Sequence, residues 1–241
     1  MNPHIFGEFL GTAVLILMGN GTVANVLLRK SKAADSGWMV IATGWAFAVM
    51  CGVLTAIACG DPDAHLNPAV TLGMAFGTHD FSKLALYLPA QLAGAFVGAL
   101  LVWLHFWPHW LETPEPDRKL ACFSTSPAIR MPGANLVSEI IGTFVLVLVA
   151  GAIGSKAVSQ SGQGAGLPPY LVSCVVWGIG LALGGTTGYA INPARDLGPR
   201  LAHSILPLGK KGSSDWAYAP IPILGPLIGG ALAGLLLGWA F

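Results

Sequence analysis

Charge is scarce in this sequence: 10% of its 241 residues are Asp, Glu, Lys or Arg, and the formal net charge is +1. With 54% apolar residues, so few charges cannot cover a water-facing surface, which excludes an ordinary soluble domain and makes a bilayer the natural solvent. The basic residues are scattered and form no stripe, which excludes a phosphate-binding face and nucleic acid as a partner. The four cysteines, Cys51, Cys59, Cys122 and Cys174, have no CxxC spacing, and three sit in or beside apolar runs. They are expected to be small packing residues rather than metal ligands or disulfide partners. The sequence has no HExxH, no GxSxG elbow, no phosphate-binding loop, and no repeated acidic pair or His/Cys cluster. An intramembrane enzyme, a metal centre and a cofactor are therefore not expected. The chain begins at once on an apolar run containing Glu8, without a basic leader, and that run reads as a first span rather than a signal peptide.

What the sequence does have is long apolar runs. A helix needs about 20 mostly apolar residues to cross about 30 Å of hydrocarbon, and six stretches meet that requirement: 5–28, 38–58, 84–106, 135–152, 171–189 and 221–239. The fifth is rich in glycine from Gly178 to Gly188, a composition that allows close helix contacts in a membrane. Two further segments, 67–76 and 192–203, are too short to span and too apolar to be ordinary loops. Each is expected to form a helix about 15 to 18 Å long, roughly half the bilayer, so that the pair end to end makes one full span.

The chain repeats itself. Glu8-Phe-Leu-Gly-Thr-Ala-Val-Leu15 returns as Glu139-Ile-Ile-Gly-Thr-Phe-Val-Leu146, Trp45 returns as Trp177, and Asn67-Pro68-Ala69 returns as Asn192-Pro193-Ala194. The expected organisation is a first repeat over 1–106, a polar connecting loop on the surface over 107–134, and a second repeat over 135–241. Three spans per repeat is an odd number, so the second half enters the membrane inverted relative to the first, and the half-helices come in from opposite faces.

Asn-Pro is a strong helix start, because Asn caps free backbone N–H groups and Pro is preset for the first helical position. Non-helical backbone at membrane depth is tolerated only where it is buried in protein or lines a water-filled cavity. Both starts are therefore expected near the midplane. There the Asn67 and Asn192 amides offer donors to a passing oxygen, and the helix N-termini place positive potential on a lumen, disfavouring cations and protons.

His65-Leu-Asn-Pro-Ala-Val-Thr71 and Ile191-Asn-Pro-Ala-Arg-Asp-Leu-Gly-Pro199, with the Glu8 and Glu139 repeats and the six-span plan, closely resemble the major intrinsic protein family, the aquaporins and glycerol facilitators. The resemblance covers nearly the whole chain. It implies an all-α membrane protein with six transmembrane helices and two re-entrant half-helices. It also implies a homotetramer with one pore per subunit, no cofactor, and contacts with membrane lipid. By this resemblance Trp45, Gly180, Tyr189 and Arg195 form the selectivity constriction. Water-selective members usually carry His where Gly180 stands, so glycine is expected to widen the lumen. Arg195 lies in the first turn of its half-helix, where the macrodipole disfavours a cation, which argues for a functional reason. Asp196, Arg200 and Pro222 match the glycerol-conducting branch, whereas Tyr189 departs from the usual Phe. Glu8 and Glu139 lie in spans, where an unpaired charge costs about 3 kcal/mol or more. The resemblance implies that they accept from the loops entering the half-helices. His65 is similar to a family histidine on the cytoplasmic approach to the pore.

The expected activity is passive conduction of glycerol and similar small uncharged solutes, with water, while ions and protons are excluded. The alternatives are a water-selective pore or one for urea, metalloid hydroxides or lactic acid. A secondary transporter, which also uses inverted repeats and broken helices, would need coupling chemistry. The resemblance implies residence in the cell's inner (plasma) membrane with cytoplasmic termini. That orientation leaves Arg29, Lys30, Lys32, Arg118, Lys119, Arg130, Lys210 and Lys211 outside and only Lys83 and Lys156 inside. The usual bias of cytoplasmic loops is the reverse.

Overall fold

Proline opens most of the helices in the computed structural model, which describes residues 2–159, 164 and 166–240. The helices are α1 (Pro3–Leu27), α2 (Trp38–Ala58), α3 (Pro68–Thr78), α4 (Leu84–His105), α5 (His109–Glu112), α6 (Pro116–Ala121), α7 (Pro132–Gly154), α8 (Leu167–Ala182), α9 (Pro193–Ile205) and α10 (Pro220–Ala240). Pro at a first position lacks only an N–H that would have no intrahelical partner, and its fixed φ suits the turn. No strand occurs among the described residues.

Among the described residues five helices, α1, α2, α4, α7 and α10, are long and apolar enough to cross a membrane, and α8 is a shorter apolar helix. The chain is an integral membrane protein. The two half-helices are α3 and α9, with 11 and 13 residues. Their partners follow the repeat crosswise. α1 packs on α2 and α4, as α7 packs on α8 and α10, while α3 lies against α10 and α9 against α4. Each half-helix thus docks on the last span of the other half.

Small residues permit these approaches. A Cβ added to Gly234 of α10 would lie 2.0 Å from the Gly73 carbonyl oxygen of α3, so backbone meets backbone there. Without a hydrophobic drive between helices in lipid, such close van der Waals contact supplies the association.

Two expectations are corrected. The fifth span does not run over 171–189: α8 starts at Leu167 and stops at Ala182. Its 16 residues cover roughly 24 Å. Leu183–Thr187 is a turn, and Gly188 at φ 78° sends the chain back toward the interior. The apolar count could not register that the glycines end the helix, nor that Pro168 and Pro169 begin it.

Nor is the connection between the halves a simple surface loop. It contains α5 and α6 and buries Trp110, Lys119, Phe123 and Thr125. Lys119 donates through Nζ to the Leu208 carbonyl at 2.6 Å. Lys211 donates to the carbonyls of His203, Ser204 and Leu206, each at 2.8 Å, and so places a cation at the C-terminus of α9, where the dipole favours it. The cysteines described are all free, and Cys122 is buried.

Candidate functional site

The two Asn-Pro-Ala segments meet. Asn67 accepts the Ala69 N–H through Oδ1 at 2.8 Å and donates through Nδ2 to the Ile191 carbonyl at 2.8 Å. Asn192 mirrors it, accepting the Ala194 and Arg195 N–H groups at 3.0 and 3.2 Å and donating to the Leu66 carbonyl at 2.9 Å. Each side chain therefore caps its own half-helix and ties down the loop that enters the other. A primary amide has two N–H groups, so each keeps a second donor after its cross-link.

The entering loops are strained in the same pattern. Ala64 and Leu66 have φ of 44° and 53°, and Tyr189 and Ile191 have φ of 37° and 41°. Left-handed backbone at a non-glycine residue costs about 1–3 kcal/mol and persists only where the surroundings fix it. Two buried glutamates do the fixing. Glu8 accepts from the His65 and Leu66 N–H groups at 2.5 and 2.8 Å, and Gln91 donates to it at 2.6 Å. Glu139 accepts from the Ala190 and Ile191 N–H groups at 3.0 and 2.9 Å. Gln91 also donates to Thr71 at 3.0 Å, and nothing in its sequence context marked it.

Beside this junction lies a cavity of about 370 Å³. Its lining extends from Pro62 and Asp63, past Asn67 and Asn192, to Trp45, Tyr189 and Arg195. Leu15, Val49, Val53 and Leu146 make part of it apolar. The Arg195 guanidinium carbon is 4.1 Å from the centre of the Trp45 ring, a cation–π contact worth about 0.5–2 kcal/mol. Gly19 makes room for that indole, since a Cβ there would fall 2.3 Å from it. Arg195 Nη1 and Tyr189 Oη are buried without a hydrogen-bond partner among the described residues. Two polar atoms of the lining are thereby left free.

Gly180 does not line the cavity. A Cβ built on it would lie 2.9 Å from Cζ and Oη of Tyr189, so the space that glycine vacates holds the phenol. Trp38 completes the packing: its ring meets Tyr189 edge-on at 5.8 Å, and its Nε1 donates to the Gly180 carbonyl at 2.9 Å. Sequence reasoning missed Trp38, because its position at the start of α2 reads as an interfacial aromatic.

Asp196 and Arg200 also lie off the cavity, fully buried. Arg200 Nε donates to Asp196 at 2.8 Å, and its Nη groups reach the carbonyls of Ser214 at 2.7 Å and Thr125 at 3.0 Å. Asp196 accepts the N–H and hydroxyl of Thr125, both at 2.8 Å. The pair anchors the connecting segment over the half-helix that carries Arg195. Pro222 is buried in the first turn of α10 and does not line the cavity. His65 does line it, next to Thr71 at 3.2 Å, with its ring edge-on to Tyr87.

These features define a polytopic membrane protein whose inverted halves share one buried, re-entrant core. The family model described as Major intrinsic protein matches residues 2–237, and the chain belongs to that family. It is 55% identical over 236 residues to a probable glycerol uptake facilitator protein of Thermotoga maritima, with 97% of each chain covered. It is 52% identical to glycerol uptake facilitator protein 3 of Lactiplantibacillus plantarum, over 97% of this chain and 95% of that one. Among solved structures, the aquaglyceroporin from Plasmodium falciparum superimposes with a TM-score of 0.83 at 29% identity, covering 96% of this chain and 93% of that one.

Proposed function

We propose that this protein is a passive channel for glycerol and similar small uncharged solutes, with water, that excludes ions and protons. The observation that carries the reading is the two-sided cavity at the junction. Apolar Leu15, Val49, Val53 and Leu146 suit the C–H face of a polyol. The free Arg195 Nη1 and Tyr189 Oη, with the second N–H of each asparagine amide, suit its hydroxyls. Small neutral ligands are bound this way, in an apolar slot with a few placed polar groups. The two half-helix N-termini and Arg195 put positive potential on the narrow part, which opposes cations and protons. The glycerol uptake facilitators to which the chain is 52–55% identical support the same solute class.

In this reading Asn67 to Ala69 and Asn192 to Ala194 form the midplane of the pore. Trp45, Tyr189 and Arg195 form the constriction, and Gly180 sets its width indirectly by letting the Tyr189 ring stand back. Glu8 and Glu139 hold the carbonyl-bearing loops in register, and His65 shapes the approach. The repeats over 1–106 and 135–241 act as one inverted pair joined by 107–134, and four subunits assemble in the inner membrane with cytoplasmic termini. Four of the eight basic residues that this orientation places outside are ion-paired there. Arg29 pairs with Glu115, Lys30 with Glu112, Arg118 with Asp35, and Arg130 with Asp215. The position of these four therefore answers to contacts of the folded face.

The test is stopped-flow light scattering on proteoliposomes challenged with glycerol and with an impermeant osmolyte. Fast shrinkage in both, followed by rapid re-swelling in glycerol alone, is expected. Shrinkage without glycerol re-swelling would reject the polyol assignment and leave a water pore.

A further inference from the structure

Among the described residues, one group of metal-ligating side chains lies apart from the constriction, where the start of α1 meets the loop between α2 and α3. His4 Nδ1 is 3.0 Å from Asp61 Oδ1. The Tyr87 hydroxyl from α4 is 2.9 Å from the same oxygen and 3.2 Å from Asp63 Oδ2. One ligand atom each from His4, Asp61 and Asp63 lies within 4.8 Å of the other two. Three chain segments build the cluster, which is why the sequence did not reveal it. Asn2 accepts the His4 N–H at 3.0 Å and fixes the turn that carries the imidazole. Gly7 lets the loop lie against α1, since a Cβ there would fall 2.5 Å from Asp61 Cβ.

Asp61 is fully buried: its Oδ1 meets His4 and Tyr87, its carboxyl group also approaches that of Glu8, and Oδ2 has no N–H or O–H donor among the described residues. An ionised carboxylate in such a place is costly unless it is paired or binds a metal. Glu8, Asp61 and Asp63 bring three carboxylates into one neighbourhood, faced by Lys83, ion-paired to Asp63 at 2.6 Å, and by His4, which pairs with Asp61 at 3.0 Å when its imidazole is protonated.

We propose that His4, Asp61 and Asp63 form a binding site for a divalent transition-metal ion of the Mn²⁺ or Zn²⁺ class, with the Tyr87 hydroxyl beside it. One imidazole and two carboxylates suit these ions better than thiol-seeking ones. Bonds of about 2.0–2.2 Å require the ligand atoms to draw slightly together. The two outer ligands are free to do so, with side chains 46% exposed at His4 and 32% exposed at Asp63. Asp63 also lines the cavity, so the ion sits beside its mouth and draws that carboxylate away from Lys83.

Purified full-length protein in detergent is titrated with Mn²⁺ alone, and free Mn²⁺ is read by its electron paramagnetic resonance signal. Uptake of one ion per chain, displaced by Zn²⁺, is expected. His4→Ala and Asp63→Asn, each with the parent's size-exclusion profile, are expected to bind at least about 10-fold more weakly, since loss of a ligand costs no less than loss of a group that orients one. Absence of uptake, or uptake in both variants equal to that of the parent, overturns the site. The first of these results would leave a proton as the balance for Asp61.

Discussion

Glu139→Ala is expected to lose glycerol flux and to destabilise the protein by about 3–5 kcal/mol, the range for breaking a buried, hydrogen-bonded network. Two buried N–H groups, those of Ala190 and Ile191, would be left without an acceptor, at about 1–3 kcal/mol each. The same change removes the restraint on Tyr189 and Ile191, whose left-handed backbone would relax. Relaxation rotates the Ile191 carbonyl, which holds Asn67, so damage on one half-helix spreads to the other. Glu139→Gln keeps an acceptor oxygen but sets an NH₂ group against one of the two N–H donors, and an intermediate loss is expected. Thermal unfolding in detergent and flux per folded channel check both variants. A Glu139→Ala protein with parental stability and flux would show that the carboxylate does not hold the loop.

The second large effect concerns solute size. Gly180→Val is expected to slow glycerol flux roughly 5- to 150-fold, the rate equivalent of about 1–3 kcal/mol of overpacking at the constriction. Even a first carbon at this position would sit 2.9 Å from the Tyr189 ring and 3.2 Å from the Ala42 methyl. Trp38 closes the other side of the ring, so the phenol is displaced into the cavity beside Arg195. Water, being smaller, is expected to be slowed less. Adding Tyr189→Leu to Gly180→Val is expected to restore part of the glycerol flux. The ratio of glycerol to water permeability for the three proteins decides the point. A Gly180→Val channel with the parental ratio would separate Gly180 from solute selection.

The part of this arrangement that could be read in the sequence is the part that repeats. Asn67 and Asn192 head apolar segments too short to span, and that pattern alone requires two half-helices facing each other inside the membrane. Glu8 and Glu139 stood out because carboxylates in spans need partners, and backbone N–H groups proved to be those partners. Long-range packing was not legible. Gly180 looked like a side chain missing from the lumen. The glycine-rich turn after α8 instead folds Tyr189 back over it, nine residues on, and no local pattern predicts that return. Asp196 and Arg200 read as markers of a family branch, whereas their contacts are with Thr125 and Ser214 in separate loops. The connecting segment read as polar surface because its composition is mixed. Its buried Lys119 spends its charge on backbone carbonyls, a use that composition does not register.

All of the functional reading depends on the asparagine amides of the two half-helices meeting beside an open cavity. A crystal structure grown in the presence of glycerol tests this most directly. The expected result is a glycerol against Trp45 with its hydroxyls on Arg195 and Tyr189, and a solute or water oxygen within hydrogen-bond distance of Nδ2 of both Asn67 and Asn192. Asparagines held apart, or protein side chains filling the space beside them, would contradict it.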